Sequence, residues 1–436
     1  MSAACTVRSA TAHLASSSGL FMSASAAPSA TPSGDASARI FVSIIAYRDP
    51  ELLPTLRSLF SQAAQPARIV AGIVWQGDDT STGDVDTLAA LDTFAAEYAG
   101  CIRQLRLPHT EARGPCYARA LAQQRLFEDE PFYLQLDSHM RFARGWDEQL
   151  LQQWALCKDS NAVLSTYPPA YERSSDAASE LSSADPAAAA SLPPEEAQQP
   201  SPPTILCASK FDAADGMLRI VGRLLSRCPS APLPSALFAA GFAFGPGRLV
   251  RAAPYDPHLA NLFFGEESSM LARLYTAGFN MFAPSRTLVW HCWSRAYRHN
   301  FRELAQQADP DTQRQHKRRE LLARARVCAV LGMTPTAEDS AVLAAAVSEA
   351  DSSDASLSSS LAVPRAPYTV GTQRTLSDFY AHTGVDFSTR SISERGRNGG
   401  VSPSLFRQQA SDAAQHQLDM VMRIMQQQKL AVSSST

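Results

Sequence analysis

Short apolar runs alternate with segments of helical periodicity in the first third of this chain, and this alternation restricts the fold more than any other feature. Leucines at helical spacing in "PELLPTLRSLFSQA" and a Gly-Pro start in "RGPCYARALAQQRLF" predict helices. The apolar runs have the length of buried strands: "IFVSIIAY" (residues 40–47), "RIVAGIVWQG", "IRQLRLP" and "FYLQLD". We therefore predict an α/β fold with a mostly parallel central sheet flanked by helices.

Two low-complexity segments interrupt the rest of the chain. Residues 172–203 and 334–363 hold few large apolar side chains, so burial there cannot offset the entropy of ordering. Between them, structure resumes at "TILCASKF", "FFGEESSMLARLYTAGF" predicts a loop and a helix, and "NMFAPSRTLVWHCW" predicts one final strand. The predicted organisation is a disordered N-terminal segment (1–38), a main domain (39–333) with a disordered insertion (172–203), a linker (334–363), a short folded segment (364–390) and a flexible or helical tail (391–436).

Composition excludes several classes of protein. The formal net charge is −3, and no basic block occurs, so neither nucleic acid nor a membrane is an expected partner. No apolar stretch is long enough to predict a transmembrane helix, and residues 1–38 lack the apolar core of a secretory signal. The 8 cysteines occur singly, which indicates reduced thiols. We expect a cytoplasmic protein, with an organelle-targeting signal near Arg8 and Arg39 as the alternative.

The fourth apolar run ends in polar residues that suit a metal ion. Asp137 and His139 lie two residues apart, and positions i and i+2 of a strand point to the same side. They would emerge at the carboxyl edge of the sheet, where open α/β folds bind ligands. A carboxylate and an imidazole suit Mn²⁺ or another mid-series divalent ion. His291 ends another apolar run and is a candidate third ligand. The alternative is that Asp137 caps a turn and both histidines pack in the core.

Charged residues near predicted helix starts are further candidates. Glu266 and Glu267 precede a helix, where either could cap the helix or address a hydroxyl of a sugar or an acceptor. Arg113 and Arg119 could hold a nucleotide diphosphate or ribose, or could be solvated. The glycine-rich stretch 241–247 lacks the P-loop pattern, and the dinucleotide fingerprint GxGxxG is missing.

The order of these motifs resembles a glycosyltransferase of the GT-A type. The motifs "FVSIIAYRD", "WQGDD", "RGPCYAR", "QLDSHMRFARGWD", "AAGFAFGPG" and "VWHCW" are similar to those of the cytoplasmic hydroxyproline N-acetylglucosaminyltransferase family. "GTQRTLSDFYAHTGVDF" is similar to the C-terminal motif of that family, and "LDSH" to the metal motif of polypeptide N-acetylgalactosaminyltransferases. The resemblance covers residues 40–390, apart from the two low-complexity segments.

The resemblance implies a UDP-GlcNAc donor, a hydroxyproline of a cytoplasmic protein as acceptor, and a ubiquitin-ligase adaptor as one candidate protein. Asp137, His139 and His291 would bind Mn²⁺, which would bridge the diphosphate. Asp79 would meet uracil, and Arg113 would contact the nucleotide.

The related families retain the anomeric configuration, so by analogy no dedicated general base is required and Glu266 or Glu267 would position substrate. In an inverting enzyme one of them would take the acceptor's proton. Three alternatives are another sugar donor, a small glycan acceptor, and an inactive scaffold of the same fold.

Overall fold

The structure is a computed structural model that describes residues 38–171, 201–294, 297–298, 301, 307–348 and 364–407. The expected N-terminal segment and nearly all of the expected insertion therefore lie outside the described residues, as does the chain after residue 407.

The first half of the chain forms strands and helices in alternation. Leu52, Leu56 and Leu59 of the first helix are completely buried, as their helical spacing predicts. Gly114 has a φ of +87° and precedes Pro115 at the first position of the third helix. The elements are β1 (Ile40–Tyr47), α1 (Leu52–Ser61), β2 (Ile69–Gly77), α2 (Thr82–Glu97), β3 (Ile102–Pro108), α3 (Pro115–Arg125), β4 (Phe132–Asp137), β5 (Met140–Phe142), α4 (Trp146–Leu156) and β6 (Ala162–Ser165).

The second half completes the sheet and adds helices. In order these elements are β7 (Thr204–Phe211), β8 (Leu218–Leu224), β9 (Leu233–Pro234), β10 (Phe242–Pro246), α5 (Leu249–Ala252), α6 (Glu266–Thr276), β11 (Asn280–Ala283), β12 (Val289–His291), α7 (Pro310–Leu331), α8 (Ala337–Ser348), α9 (Leu376–Thr383), β13 (Val385–Asp386), β14 (Ser391–Ile392) and α10 (Glu394–Arg397).

The central sheet has the strand order β3-β2-β1-β4-β10-β6-β11-β9. Strands β3, β2, β1 and β4 are mutually parallel neighbours, and β11 is parallel to β6. Strand β10 runs antiparallel between β4 and β6. The predicted α/β class with a mostly parallel sheet is confirmed. The carboxyl ends of β1, β2 and β4 therefore meet at one edge, which is where the candidate ligands were expected.

Both faces of the sheet are buried. On one face Phe41 stacks on Tyr133 with ring centroids 5.8 Å apart. The ring of Phe41 also lies over Gly72, where an added Cβ would come within 2.1 Å of its Cζ. On the other face β1 and β4 pack against α1 and α4 through side chains that include Val42, Leu134 and Trp154. This two-sided burial explains why the strands read as continuous apolar runs.

The run 280–291 forms two strands in different sheets, whereas the sequence predicted one. Pro284 lacks an amide hydrogen and cannot continue the β11 ladder. The amide of Ser285 instead donates to the side chain of Gln153 at 2.6 Å. The chain then leaves the central sheet, and β12 pairs with β5.

The C-terminal part is more ordered than its composition predicts. Helix α8 lies inside the expected linker, where the Thr336 hydroxyl accepts the amide of Asp339 at 3.1 Å. The completely buried Asp339 side chain also pairs with Arg324 of α7 at 2.8 Å. Strand β14 and helix α10 lie in the expected tail. Local capping and a buried ion pair therefore hold α8, which has few large apolar side chains.

Candidate active site

Strands β5 and β12 bring together the three predicted metal ligands. Register pairs His291 with Met140, and the amide of Cys292 donates to the carbonyl of His139 at 3.0 Å. The Nε2 atom of His291 lies 3.2 Å from Oδ2 of Asp137, and the two imidazole centroids are 4.6 Å apart. One ligand atom from each of Asp137, His139 and His291 lies within 4.8 Å of the others. The structure thus joins residues that are 154 positions apart in sequence.

A buried carboxylate that the sequence interpretation missed lies behind His139. Asp49 follows β1, is completely buried, and its Oδ2 lies 2.8 Å from Nδ1 of His139. Burial raises the pKa of Asp49, but Arg298 and the hydrogen bond to His139 outweigh burial and lower that pKa below its usual range. The sequence signal for Asp49 was its position just after β1, the strand that pairs with β4. This residue was not among the predicted site residues.

Asp137 remains negatively charged for similar reasons. Burial raises its pKa, whereas the hydrogen bond with His291 and the positive charge of Arg119 lower it below the usual range. Arg119 donates to Oδ1 of Asp137 at 2.9 Å and also pairs with Glu266. About a quarter of the Asp137 side chain is exposed, so the carboxylate faces the cavity.

These groups fit a divalent cation. The buried Nε2 atom of His139 has no hydrogen-bond partner among the described residues, and such a lone pair is costly unless it meets a donor or an ion. One carboxylate and two imidazoles suit Mn²⁺, Fe²⁺, Co²⁺ or Zn²⁺ better than Ca²⁺ or Mg²⁺.

The adjacent glutamates have different environments. Glu266 is buried and faces Arg119. Glu267 accepts the amide hydrogen of Ala240 at 2.9 Å and the Tyr167 hydroxyl hydrogen at 2.7 Å. Burial raises the pKa of Glu267 to about 7, against the lowering effect of these two hydrogen bonds. Neither side chain caps α6, whose N-cap residue is Gly265. The Glu267 carboxyl therefore changes charge near neutral pH.

The cluster opens into a cavity of about 250 Å³. Arg119, Glu266 and Glu267 line it, as do Asp137 and both histidines. The cavity extends from the carboxyl ends of β1 and β2 to the β7–β8 hairpin. Wall residues that the sequence interpretation did not identify include Tyr47, Gln76, Tyr167, Phe263, Phe264 and Arg298.

Two predicted nucleotide contacts lie outside this wall. Asp79 is exposed, and its neighbour Asp78 accepts hydrogen bonds from Thr80. Arg113 is exposed too, with its guanidinium 5.1 Å from the ring centroid of Tyr117. Neither Asp79 nor Arg113 is among the described residues that line the cavity. Their assignment to the nucleotide stays a prediction.

The structure thus combines a mostly parallel α/β sheet with a ligand cluster at its carboxyl edge. A family model described as "Glycosyltransferase (GlcNAc)" matches residues 39–100 and 84–389. The chain belongs to this glycosyltransferase family. No curated protein matches the chain. The subfamily that modifies hydroxyproline stays a prediction.

Several solved structures are similar to this chain. GalNAc-T7 with UDP, GalNAc and Mn²⁺ is 16% identical with a TM-score of 0.45, and the match covers 67% of this chain and 48% of GalNAc-T7. TarS 1–349 of S. aureus with UDP-GlcNAc is 14% identical with a TM-score of 0.36, covering 67% of this chain and 70% of that one. The mannosyltransferase PcManGT of Pyrobaculum calidifontis with GDP-Man and Mn²⁺ is 12% identical with a TM-score of 0.35, covering 75% and 79%. This chain thus spans about half of GalNAc-T7.

Among the described residues, no helix combines the length and the apolar character that crossing a membrane requires.

Proposed function

We propose that this protein transfers N-acetylglucosamine from UDP-GlcNAc to a protein hydroxyl with the help of a divalent cation, Mn²⁺ in the first instance. The observation that carries the proposal is the cluster of Asp137, His139 and His291 at the wall of a cavity. Membership of the glycosyltransferase family supports the reaction class. The choice of sugar rests on that family and on the motifs described above.

The three ligands have distinct roles in this proposal. Asp137 supplies negative charge, and the two histidines supply neutral nitrogen ligands. Arg119 donates to Oδ1 of Asp137, whereas His291 lies against Oδ2, so Arg119 would hold the carboxylate in place for a cation. A bound ion would act as a Lewis acid that stabilises the negative charge growing on the leaving UDP.

In a retaining reaction the two glutamates would have different roles. Glu266 is committed to Arg119, so it supports the site indirectly. Glu267 faces the cavity and directs its carboxyl group, with the Tyr167 hydroxyl, toward a hydroxyl of the sugar or the acceptor. A pKa of about 7 also suits a general base, so Glu267 is the candidate base if the reaction inverts configuration, since Glu266 is paired with Arg119. The anomeric configuration of the product, read by NMR, separates the two mechanisms.

The proposed acceptor is a hydroxyproline in a cytoplasmic protein, and a ubiquitin-ligase adaptor is the candidate to try first. The support is the motif resemblance over residues 40–390. The wall formed by Phe263 and Phe264, whose ring centroids are 4.8 Å apart, offers an apolar surface to a ring such as pyrrolidine. The alternative acceptors are another hydroxyl or a small glycan.

The test is UDP release by the purified chain, with and without Mn²⁺, across a panel of nucleotide sugars. We expect hydrolysis of UDP-GlcNAc that needs the cation and rises with a hydroxyproline peptide, but not with the matched proline peptide. Release from UDP-glucose or UDP-galactose alone would change the donor assignment. Binding of UDP-GlcNAc without any turnover, with every acceptor class offered, would favour an inactive scaffold.

A further inference from the structure

The completely buried carboxylate of Asp49 has no described route to a substrate. It lies two residues beyond β1, and it is not among the described residues that line the cavity. Its contact with the proposed cation site runs through His139, whose Nδ1 lies 2.8 Å from Oδ2. Among the three proposed ligands, His139 is the one that Asp49 contacts through this hydrogen bond.

The groups around Asp49 all present hydrogens to it. The Ser138 hydroxyl donates to Oδ2 at 2.5 Å, and the amide of Glu51 donates to Oδ1 at 3.0 Å. The guanidinium of Arg298 lies 3.5 Å from Oδ2. A carboxyl group surrounded by donors acts as an acceptor, so the hydrogen between Asp49 and His139 belongs to Nδ1.

That hydrogen determines what the far side of the imidazole can do. With Nδ1 protonated, the neutral ring carries its lone pair on Nε2. Nε2 is buried and has no hydrogen-bond partner among the described residues. We propose that Asp49 is a positioning residue that fixes the tautomer and the orientation of His139, so that Nε2 is preset to bind the cation. This inference rests on the metal site proposed above, and it assigns the residue that prepares the site before the ion arrives.

A second buried aspartate provides a matched control. Asp147 is completely buried in α4 and accepts the amide hydrogens of Ala64 and Gln65 at 2.7 and 3.1 Å. Substitution of either aspartate removes a buried, hydrogen-bonded carboxylate. A structural role alone predicts the same outcome for both, namely lower thermal stability with unchanged affinity for metal.

The experiment measures the Kd for Mn²⁺ by electron paramagnetic resonance on the full chain, without any nucleotide sugar. The wild-type protein is compared with four variants: Asp49→Ala, Asp49→Asn, His139→Ala and Asp147→Asn. Loss of a group that orients a metal ligand weakens binding about 10- to 100-fold, and we expect this for Asp49→Ala. Asp49→Asn should fall between Asp49→Ala and wild type, because its carbonyl oxygen can still accept from Nδ1. Asp147→Asn should keep the wild-type Kd.

The arms separate two kinds of failure. If His139→Ala loses Mn²⁺ while both Asp49 variants keep the wild-type Kd, the positioning role is wrong and the metal site stands. If His139→Ala also keeps the wild-type Kd, the metal site itself is wrong. If the Asp49 variants do not fold, NMR of the wild-type protein labelled with ¹⁵N-histidine tests the tautomer of His139 directly. We expect a protonated Nδ1 and an Nε2 signal that small additions of Mn²⁺ broaden first, and the opposite tautomer would overturn the proposal.

Discussion

Charge distinguishes Asp137 from the two histidines of the proposed cation cluster. Asp137 carries the negative charge, whereas His139 and His291 contribute neutral nitrogens. We predict that alanine at any of the three lowers Mn²⁺ affinity or kcat by at least the 10- to 100-fold typical of a lost ligand partner. Excess Mn²⁺ should restore much of the activity of the histidine variants and little of that of Asp137→Ala. The measurement is UDP release as a function of Mn²⁺ concentration.

Coupling within the cluster gives a second readout of the same experiment. The double variant Asp137→Ala with His139→Ala should lower Mn²⁺ affinity or kcat by much less than the product of the two single reductions. The reason is that the effects of groups that act as a unit are not additive. Cys292→Ser, which changes a buried thiol beside His291, should remain active. Normal Mn²⁺ binding and turnover by His291→Ala would remove His291 from the site.

The raised pKa of Glu267 makes stability depend on pH. Its pKa is about 7 in the folded chain against an ordinary value of 4.5, so the folded state holds a proton that the unfolded state releases between these values. This residue's contribution therefore favours folding below about pH 4.5 and is lost as pH rises through about 7. The Glu267→Gln variant lacks this pH-dependent loss of stability. We predict that the Tm of Glu267→Gln minus that of wild type increases as pH rises from 5 to 7.5 and then levels off.

Differential scanning fluorimetry across this pH range tests the prediction. Glu97→Gln, on the exposed face of α2, serves as the control for the loss of an exposed carboxyl group. A flat difference for Glu267→Gln would mean that Glu267 is ionised throughout the range.

Single residues were only partly predictable from the sequence. The Asp137–His139 pair was identifiable because it follows a buried apolar run, but the expected strand spacing was wrong, since β4 ends at Asp137 and His139 lies between β4 and β5. Asp49 was not identifiable, because its importance depends on the parallel pairing of β1 with β4 and on the packing of Ser138 and Arg298 around it. The difference between Glu266 and Glu267 was also hidden, because Arg119 and Tyr167 reach them from distant parts of the chain.

At the scale of elements, the backbone of β2 lies so close to an aromatic ring on β1 that a side chain added there should destabilise the protein. A Cβ at Gly72 would lie 2.1 Å from Cζ of Phe41, whose ring is held by its stack on Tyr133. We predict that Gly72→Ala destabilises the protein by about 1–3 kcal/mol, the usual cost of forcing extra volume into a core. Chemical denaturation gives the free energy of unfolding directly.

Gly83 is the matched control on a neighbouring element. It lies in α2, and an added Cβ would meet nothing within 4 Å. Gly83→Ala should stabilise the protein by roughly 0.5–1 kcal/mol through helix propensity. Equal effects for the two substitutions would show that the ring of Phe41 moves aside freely.

Helices and strands were predictable where the apolar residues recur with a single spacing. Strands β1 to β4 and helices α1 and α3 follow directly from apolar periodicity. The break between β11 and β12 was missed because the apolar residues continue on both sides of Pro284. Helix α8 was missed because it is held by a cap and by the Asp339–Arg324 ion pair, which a count of large apolar side chains does not detect.

At the scale of the whole molecule, the ends of the interrupting segment lie near each other. Tyr171 donates its amide hydrogen to the carbonyl of His291 at 3.2 Å, and the carbonyl of Ser201 accepts the amide of Thr287 at 3.0 Å. Four residues of extended chain span at most about 14 Å, so Thr287 and His291 limit the separation of the two ends. We predict that a linker of about eight Gly and Ser residues in place of 172–200 leaves UDP release within a few fold of wild type.

Size-exclusion chromatography and UDP release together check this prediction. Soluble protein with normal donor hydrolysis but lost transfer to a protein acceptor would assign the segment to acceptor recognition. Aggregated or unfolded protein would show that the segment contributes to the fold.

The pairing of β5 with β12 has a consequence for how the protein is made. A ribosome releases the chain from its amino end, so β1 to β4 and two of the three proposed ligands leave it well before Val289–His291. Until that strand arrives, β5 lacks its described partner strand and the cluster lacks its third member. The cation site can therefore be completed only late in synthesis, after most of the central sheet has emerged. A nascent chain that has the central sheet but not β12 therefore carries Asp137 and His139 without His291.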